Sequence, residues 1–315
     1  MSGAASIKPV ADPVHPAEAA FVDDGYYRYP DVLDPVAADT LLTAVRSERA
    51  FDAGLFLEEA EFDADPLYRG VNPRPGRNLL ERYQDQLGFV EADPQVVGAL
   101  TALLGADYRI LDRKLVCGVP SKVIPAWLKA RILGNPVNNL GPYVRPEFRD
   151  ITYFFGIDFH QDLIDFPGRP ADMITLYVYL HPVTARDAPL YLLGGSHALG
   201  ATVFPHDLEQ MGEGRWSYSA PGRPATPCPQ VMLTGPAGTV AMWHGCTLHG
   251  TQPDAADHER ISLRYLFTRG DPSPNGLDRV NDTIGWPVIL PTTREDLDAA
   301  GQAQVKKNAV NAARP

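Results

Sequence analysis

Cysteine is scarce in this chain. Its three thiols, Cys117, Cys228 and Cys246, lie far apart, which excludes a disulfide framework and the CxxC pairs of a structural zinc site. Long apolar runs are missing too. No segment holds 18 uninterrupted apolar residues, so a membrane-spanning helix is not expected. Positive charge is in deficit, with 28 Lys+Arg against 39 Asp+Glu and a formal charge of −11. Clustered Lys and Arg are what bind phosphate backbones, so nucleic acid is not an expected partner. Residues 1–18 are polar and Pro-broken, with no basic stretch leading into an apolar one. A cytoplasmic location is the expectation.

Proline and glycine are in excess. The 30 Pro and 27 Gly of 315 residues make about 18% of the chain, against roughly 12% in average usage. They are spread along its whole length, so they mark frequent turns, not a low-complexity tract. Many short strands and loops fit this better than a long helical bundle.

Residues 1–20 read as a flexible N-terminal arm, and FVDDGYYRY (21–29) as a short strand and turn. Behind Asp34-Pro35, Leu41, Leu42 and Val45 share one helical face, which predicts a capped amphipathic helix. A second helix is expected over 94–104, ended by Gly105. Between them, residues 51–90 read mostly as loop. From Tyr108 the character changes. YRILDRKLVCGV, MITLYVYLHPV, APLYLLGG, QVML, GTVAMW and RISLRYLFTR are β-branched or aromatic runs bounded by Gly, Pro and Asp. They read as strands spaced as in a sandwich or barrel. The expected organisation is one domain over 21–295, helices first and a β-rich half after, then a tail over 296–315 that includes the Lys306-Lys307 pair. A long segment at about 121–158 interrupts it as a lid-like insertion.

His160-Gln161-Asp162 closes the apolar run ITYFFGIDF. In an extended strand, residues i and i+2 point to one face, so the imidazole and the carboxylate project side by side. His249 lies just before Gly250, and Arg260 follows eleven residues later, across a turn-forming stretch with Pro253 and two Asp. Chain reversal there is expected to bring the Arg260 strand back beside that of His249. His160, Asp162 and His249 would then complete a two-His, one-carboxylate triad. Such a set holds non-haem Fe(II) on one face and leaves positions for cosubstrate and oxygen. The Arg260 fork suits the far carboxylate of a dicarboxylic cosubstrate. Arg264 falls on the same face of its strand as a second candidate cation. His244 and His197 read as structural.

The chain resembles the phytanoyl-CoA dioxygenase family of Fe(II)/2-oxoglutarate oxygenases. The resemblance is carried by HQDLIDFPGRPADMITLYVYLHPVTARDAPLYLLGGSH (160–197) and by His249-Gly250-Thr251 through Arg260. FVDDGYYRYPDVLDPVAADTLL adds to it, and together these span most of residues 21–268. It implies a double-stranded β-helix (jelly-roll, cupin-like) with flanking helices. It also implies His160, Asp162 and His249 as iron ligands, with Arg260 and Thr251 on the distal carboxylate of 2-oxoglutarate and Gln161 and Lys114 near that cosubstrate. The family's usual Asn after the distal His-Gly is replaced here by TQPDAAD. Retention of Asp162 argues against the halogenating branch, in which a small residue opens that coordination position.

The activity so implied uses O2 and 2-oxoglutarate to hydroxylate an unactivated C–H bond of a small-molecule metabolite, with natural-product tailoring favoured. Succinate and CO2 would be the coproducts. Desaturation, epoxidation, epimerisation and ring formation are alternatives on the same centre. A cupin-like isomerase or binding protein without oxygen chemistry is the alternative from another class, and it has no need of a buried Arg260. Trp127, Tyr153 and Phe155 from the insertion, with Asp165 and Trp243, are the candidates to line the substrate pocket. Lys129 and Arg131 read chiefly as solvated surface.

Overall fold

A computed structural model describes residues 14–64, 78–253, 255–256 and 258–298. Most of the expected arm, Lys306-Lys307 and the tail beyond 298 lie outside these residues. The part of the arm that is described is ordered. α1 (Pro16–Asp23) buries Ala17 and Phe21 and is capped by the His15 side chain. The apolar contacts of those two residues explain why the stretch is helix where a loose arm was expected. A turn at Gly25 leads to β1 (Tyr26–Arg28). α2 (Pro35–Glu48) starts as the sequence predicts. The Asp34 carboxylate accepts from Val36 N and Ala37 N, and Ala38, Leu41, Leu42 and Val45 face inward. α3 (Glu59–Ala64) and α4 (Gly88–Glu91) are single turns or little more. Asp93 caps α5 (Pro94–Leu104) in the same way as Asp34 caps α2, and Gly105, at φ 89°, ends it.

β2 (Arg109–Gly118) opens the β-rich half, followed by α6 (Ala126–Ile132), β3 (Val137–Asn139), β4 (Thr152–His160), β5 (Met173–Tyr179) and β6 (Leu190–Leu193). β7 (Asp207–Gly212), β8 (Arg215–Ala220), β9 (Arg223–Leu233), β10 (Val240–His244), β11 (His249–Thr251) and β12 (Arg260–Thr268) complete it, before α7 (Gly276–Thr283). The strand path runs β1-β10-β5-β12-β2-β4-β11-β6-β9-β8-β7, with β3 beside β4. Its eight central strands form two antiparallel groups, β10-β5-β12-β2 and β4-β11-β6-β9, joined by a short parallel pairing of β2 with β4. These groups face each other: Val116, Tyr177, Ala241 and Trp243 from the first pack with Leu190, Leu192 and Leu233 from the second. Two facing four-stranded sheets in this order are a jelly-roll, mainly β with flanking helices.

Period-2 alternation makes β5 and β12 a partition between two cores. Ile174, Leu176, Val178, Ile261, Leu263, Tyr265 and Phe267 point outward into a core shared with α2 and α5. Tyr177, Tyr179, Arg260 and Arg264 point the other way, between the sheets. Both faces are covered, so β5 is buried at every position and reads as a continuous apolar run.

Three expectations need correcting here. β7, β8 and most of β9 were not foreseen, and within β9 the residues Pro224, Pro227 and Pro229 argue against a strand. The chain tolerates them where β9 pairs on one side only, with β8. The segment 121–158 is not wholly an insertion, since Thr152–His160 is the core strand β4. Finally, β12 does not return beside β11. It pairs with β2 and β5 in the opposite sheet.

Candidate metal centre

His160 is the last residue of β4, and Gln161 stays extended at φ −95° and ψ 143°. Asp162 therefore projects on the same side as His160 before the chain tightens into a 3-10 turn. β11 lies antiparallel to β4 with His249 directly opposite His160, and the ring centroids are 4.2 Å apart. Gly250 permits this approach: a Cβ there would stand 2.8 Å from the Ile157 carbonyl oxygen. One ligand atom from each of His160, Asp162 and His249 lies within 4.8 Å of the others. His249 Nε2 is 3.7 Å from Asp162 Oδ2.

Orientation of the rings is set from behind. His160 Nδ1 bonds the Asp158 carbonyl at 3.0 Å, and His249 Nδ1 bonds that of Thr247 at 3.1 Å. A carbonyl only accepts, so each Nδ1 carries the proton and each Nε2 presents a lone pair to the cavity. Asp162 is held by Thr175 Oγ1 (2.5 Å) and Trp243 Nε1 (2.8 Å) on Oδ2, and by Arg264 Nη2 (2.5 Å) on Oδ1.

Protonation states follow from burial and charge. Desolvation, helped by the neighbouring His249, pulls His160 down to about 3. It lowers His249 as well, against the pull of Asp162. Burial alone would raise the Asp162 carboxyl, but Arg264 and the two imidazoles hold it well below the usual carboxylate range. Two neutral imidazoles and one carboxylate at neutral pH are a donor set ready for a divalent cation, and the tautomers that the two carbonyl contacts require fit one.

Arg260 enters the same cavity from the facing sheet. It is 1% exposed, and its Nη1 donates to Tyr177 Oη (2.7 Å) and Ser262 Oγ (3.3 Å). Its register partner is Gly118, where a Cβ would lie 3.2 Å from Arg260 Nε. Glycine thus makes room for the guanidinium. The cavity, about 90 Å³, is walled by both sheets and contains the three donors, Arg260, Lys114, Thr251, Asp165, Trp243 and Arg264.

Other expected residues stand elsewhere. Gln161 is fully buried and bonds Gly200 O, Cys246 O and Thr202 N. It braces two loops and is not among the cavity residues. The Thr251 hydroxyl donates to Ala188 O, although the residue lines the cavity. Trp127 packs against Phe62 and Tyr143, and Arg131 lies over the Phe62 and Trp127 rings. Tyr153 lies in the helix-side core with its hydroxyl on Arg49, and Phe155 packs against that core. His244 bonds Asn281 and Cys246 N, and is structural as expected.

Phe154 and Ile157 take the wall positions expected of Tyr153 and Phe155. Two bulges in β4 are the reason. Between His160 and Ile157 the strand spends three residues against two on β11, and between Ile157 and Phe154 three against two on β3. Each bulge resets the alternation, so 154, 157 and 160 all face inward. Gly156, at φ 79° inside a strand pattern, was the available signal. Val116, Tyr177 and Leu190 complete the wall.

Comparison with known families matches residues 21–262 to Phytanoyl-CoA dioxygenase (PhyH). A curated relative, the probable alpha-ketoglutarate-dependent hypophosphite dioxygenase of Stutzerimonas stutzeri, is 31% identical over 113 residues. That match covers 35% of this chain and 38% of the relative's length. Among solved structures, the epimerase SnoN, in complex with Fe3+, alpha ketoglutarate and nogalamycin RO, shares 17% identity at a TM-score of 0.49, over 85% of this chain and 89% of SnoN. EctD from S. alaskensis, in its apoform, shares 15% at 0.45, over 91% and 90%.

Proposed function

The chain belongs to the phytanoyl-CoA dioxygenase family, and from that premise we propose that it is a mononuclear non-haem Fe(II) enzyme dependent on 2-oxoglutarate and O2. Its reaction in this reading is hydroxylation of an unactivated C–H bond in a small-molecule metabolite, in the cytoplasm, with succinate and CO2 released. The single domain proposed for this activity spans 21–295. One observation carries the reading: two Nε2 lone pairs and a carboxylate converge at one place in a cavity that also holds the buried Arg260.

His160, Asp162 and His249 would hold the iron, which when bound supplies the oxidising chemistry with O2 and 2-oxoglutarate. Everything else is done by the chain. Asp158 O and Thr247 O keep the two imidazoles in the Nε2-presenting tautomer. Thr175 and Trp243 fix the carboxylate. Arg260 and Tyr177 offer N–H and O–H donors to the distal carboxylate of the cosubstrate, as a charge-assisted set in a site of low dielectric. Val116, Phe154, Ile157 and Leu190 keep water from the reacting centre. Burial of Arg260 favours this reading over a cupin-like isomerase or binding protein.

Succinate release should require Fe(II), O2 and Arg260 together, measured with candidate metabolites under aerobic and anaerobic conditions. Arg260→Gln should raise the 2-oxoglutarate requirement strongly while metal uptake persists. Failure of the purified protein to consume 2-oxoglutarate under every condition would sink the reading.

A further inference from the structure

Two further cations line the cavity that Arg260 enters. Lys114 and Arg264 are direct partners in the β2–β12 register, and both side chains line the cavity wall. Like charges placed opposite each other on a sheet are destabilising, so this arrangement needs counter-charge. The available carboxylates supply it only in part. Asp112 lies 3.6 Å from Arg264 and 3.8 Å from Lys114, and is 42% exposed, so water screens it. Asp165 also lines the cavity, but it is 69% exposed and shares Arg294 at 3.3 Å. Asp162 is the close partner of Arg264 at 2.5 Å, yet in the proposed holoenzyme its charge is shared with the metal.

Arg264 lies four residues beyond Arg260 on one strand face, about 13 Å of strand. The Arg264 guanidinium carries five N–H donors, of which Asp162 engages one within hydrogen-bond distance. A guanidinium fork beside an ammonium is suited to a compact oxyanion, one binding it in two places and the other as a point charge.

We propose that Lys114 and Arg264 form an anion subsite beside the metal centre, which takes the oxyanion head of a small substrate, a carboxylate or a tetrahedral phosphorus oxyanion. This rests on the oxygenase reading above.

Relaxation by Mn(II) tests it without turnover. Protein loaded with Mn(II) and 2-oxoglutarate under anaerobic conditions is titrated separately with acetate, read on the methyl protons, and methylphosphonate, read on 31P. Saturable relaxation enhancement of one probe is expected, and which probe it is identifies the head group. Lys114→Gln and Arg264→Lys should each weaken that binding by about 10- to 100-fold, the loss of one charged hydrogen bond. Their Mn(II) and 2-oxoglutarate affinities, measured by calorimetry, are read alongside, and each variant's anion binding is compared with the parent's at saturation with both. No saturable enhancement with either probe overturns the subsite, and so does binding undiminished in both variants. Loss of 2-oxoglutarate affinity in place of anion affinity reassigns the pair to the cosubstrate. Protein that takes up neither Mn(II) nor 2-oxoglutarate before any probe is added refutes the oxygenase reading itself, and the subsite with it.

Discussion

Thr175 and Gly118 show how much of this centre depends on residues that touch neither metal nor cosubstrate. The Thr175 hydroxyl donates to the Asp162 carboxylate at 2.5 Å. Its replacement in Thr175→Val should weaken Mn(II) affinity by about 10- to 100-fold, read by paramagnetic resonance titration, with folding little changed. Gly118 acts at the other end. A Cβ at 3.2 Å from Arg260 Nε already crowds the guanidinium, and the branched side chain of Gly118→Val should displace it. Calorimetry should then show weaker 2-oxoglutarate binding and unaltered metal affinity. Equal losses of both would mean that the sheet itself, not Arg260, had moved. At this scale His160 and Asp162 were legible in the sequence, because a His-x-Asp at a strand end needs only local geometry. Gln161 was not. Its amide finds three backbone partners from residues about 40 and 85 positions away, which no local pattern reveals.

Elements divide into those decided by local chemistry and those decided by pairing. α2 and α5 carry their own start signals, and Asp93→Ala should remove the cap that accepts from Gln95 N and Val96 N. The expected cost is about 1 kcal/mol in urea unfolding, with metal affinity unaffected. β4 is of the other kind. Its two bulges turn Phe154 inward and Tyr153 and Phe155 outward. Phe154→Ala should therefore alter ligand binding in the cavity at modest cost to folding. Phe155→Ala should instead lower the urea midpoint and leave binding intact. The reverse pattern would show that the alternation runs unbroken through β4. A bulge arises from the strands on either side, β11 and β3, so Gly156 could mark it but not place it.

For the molecule as a whole, the common feature is a set of buried, neutral histidines. Burial lowers His160 to about 3, His244 to about 3 and His197 to about 4, whereas an unfolded histidine titrates near 6.5, so about 1.4 kcal/mol per histidine is lost for each pH unit below it. The unfolded chain takes up protons first. Stability of the metal-free protein should hold above about pH 6.5 and fall as pH drops toward 4. Urea midpoints in chelator at pH 7.5 and 5.5 check this, and His197→Gln should flatten the dependence. Stability unchanged between those two values would contradict neutral burial. The jelly-roll was visible from sequence as a run of short strands, but its sheet assignment was not. Residues 249 and 260, eleven apart, lie in opposite sheets. The sequence by itself determined the His-x-Asp pair at the end of β4, the helix caps and the inward face of β12, because each depends on neighbours within one turn or one strand. Only the tertiary structure decided that Arg260 meets the metal donors across a cavity, that β4 is bulged, and that Lys114 stands beside Arg264. Those follow from strand pairing at long range, where the partner of a residue is set by the packing of two sheets and not by its own surroundings.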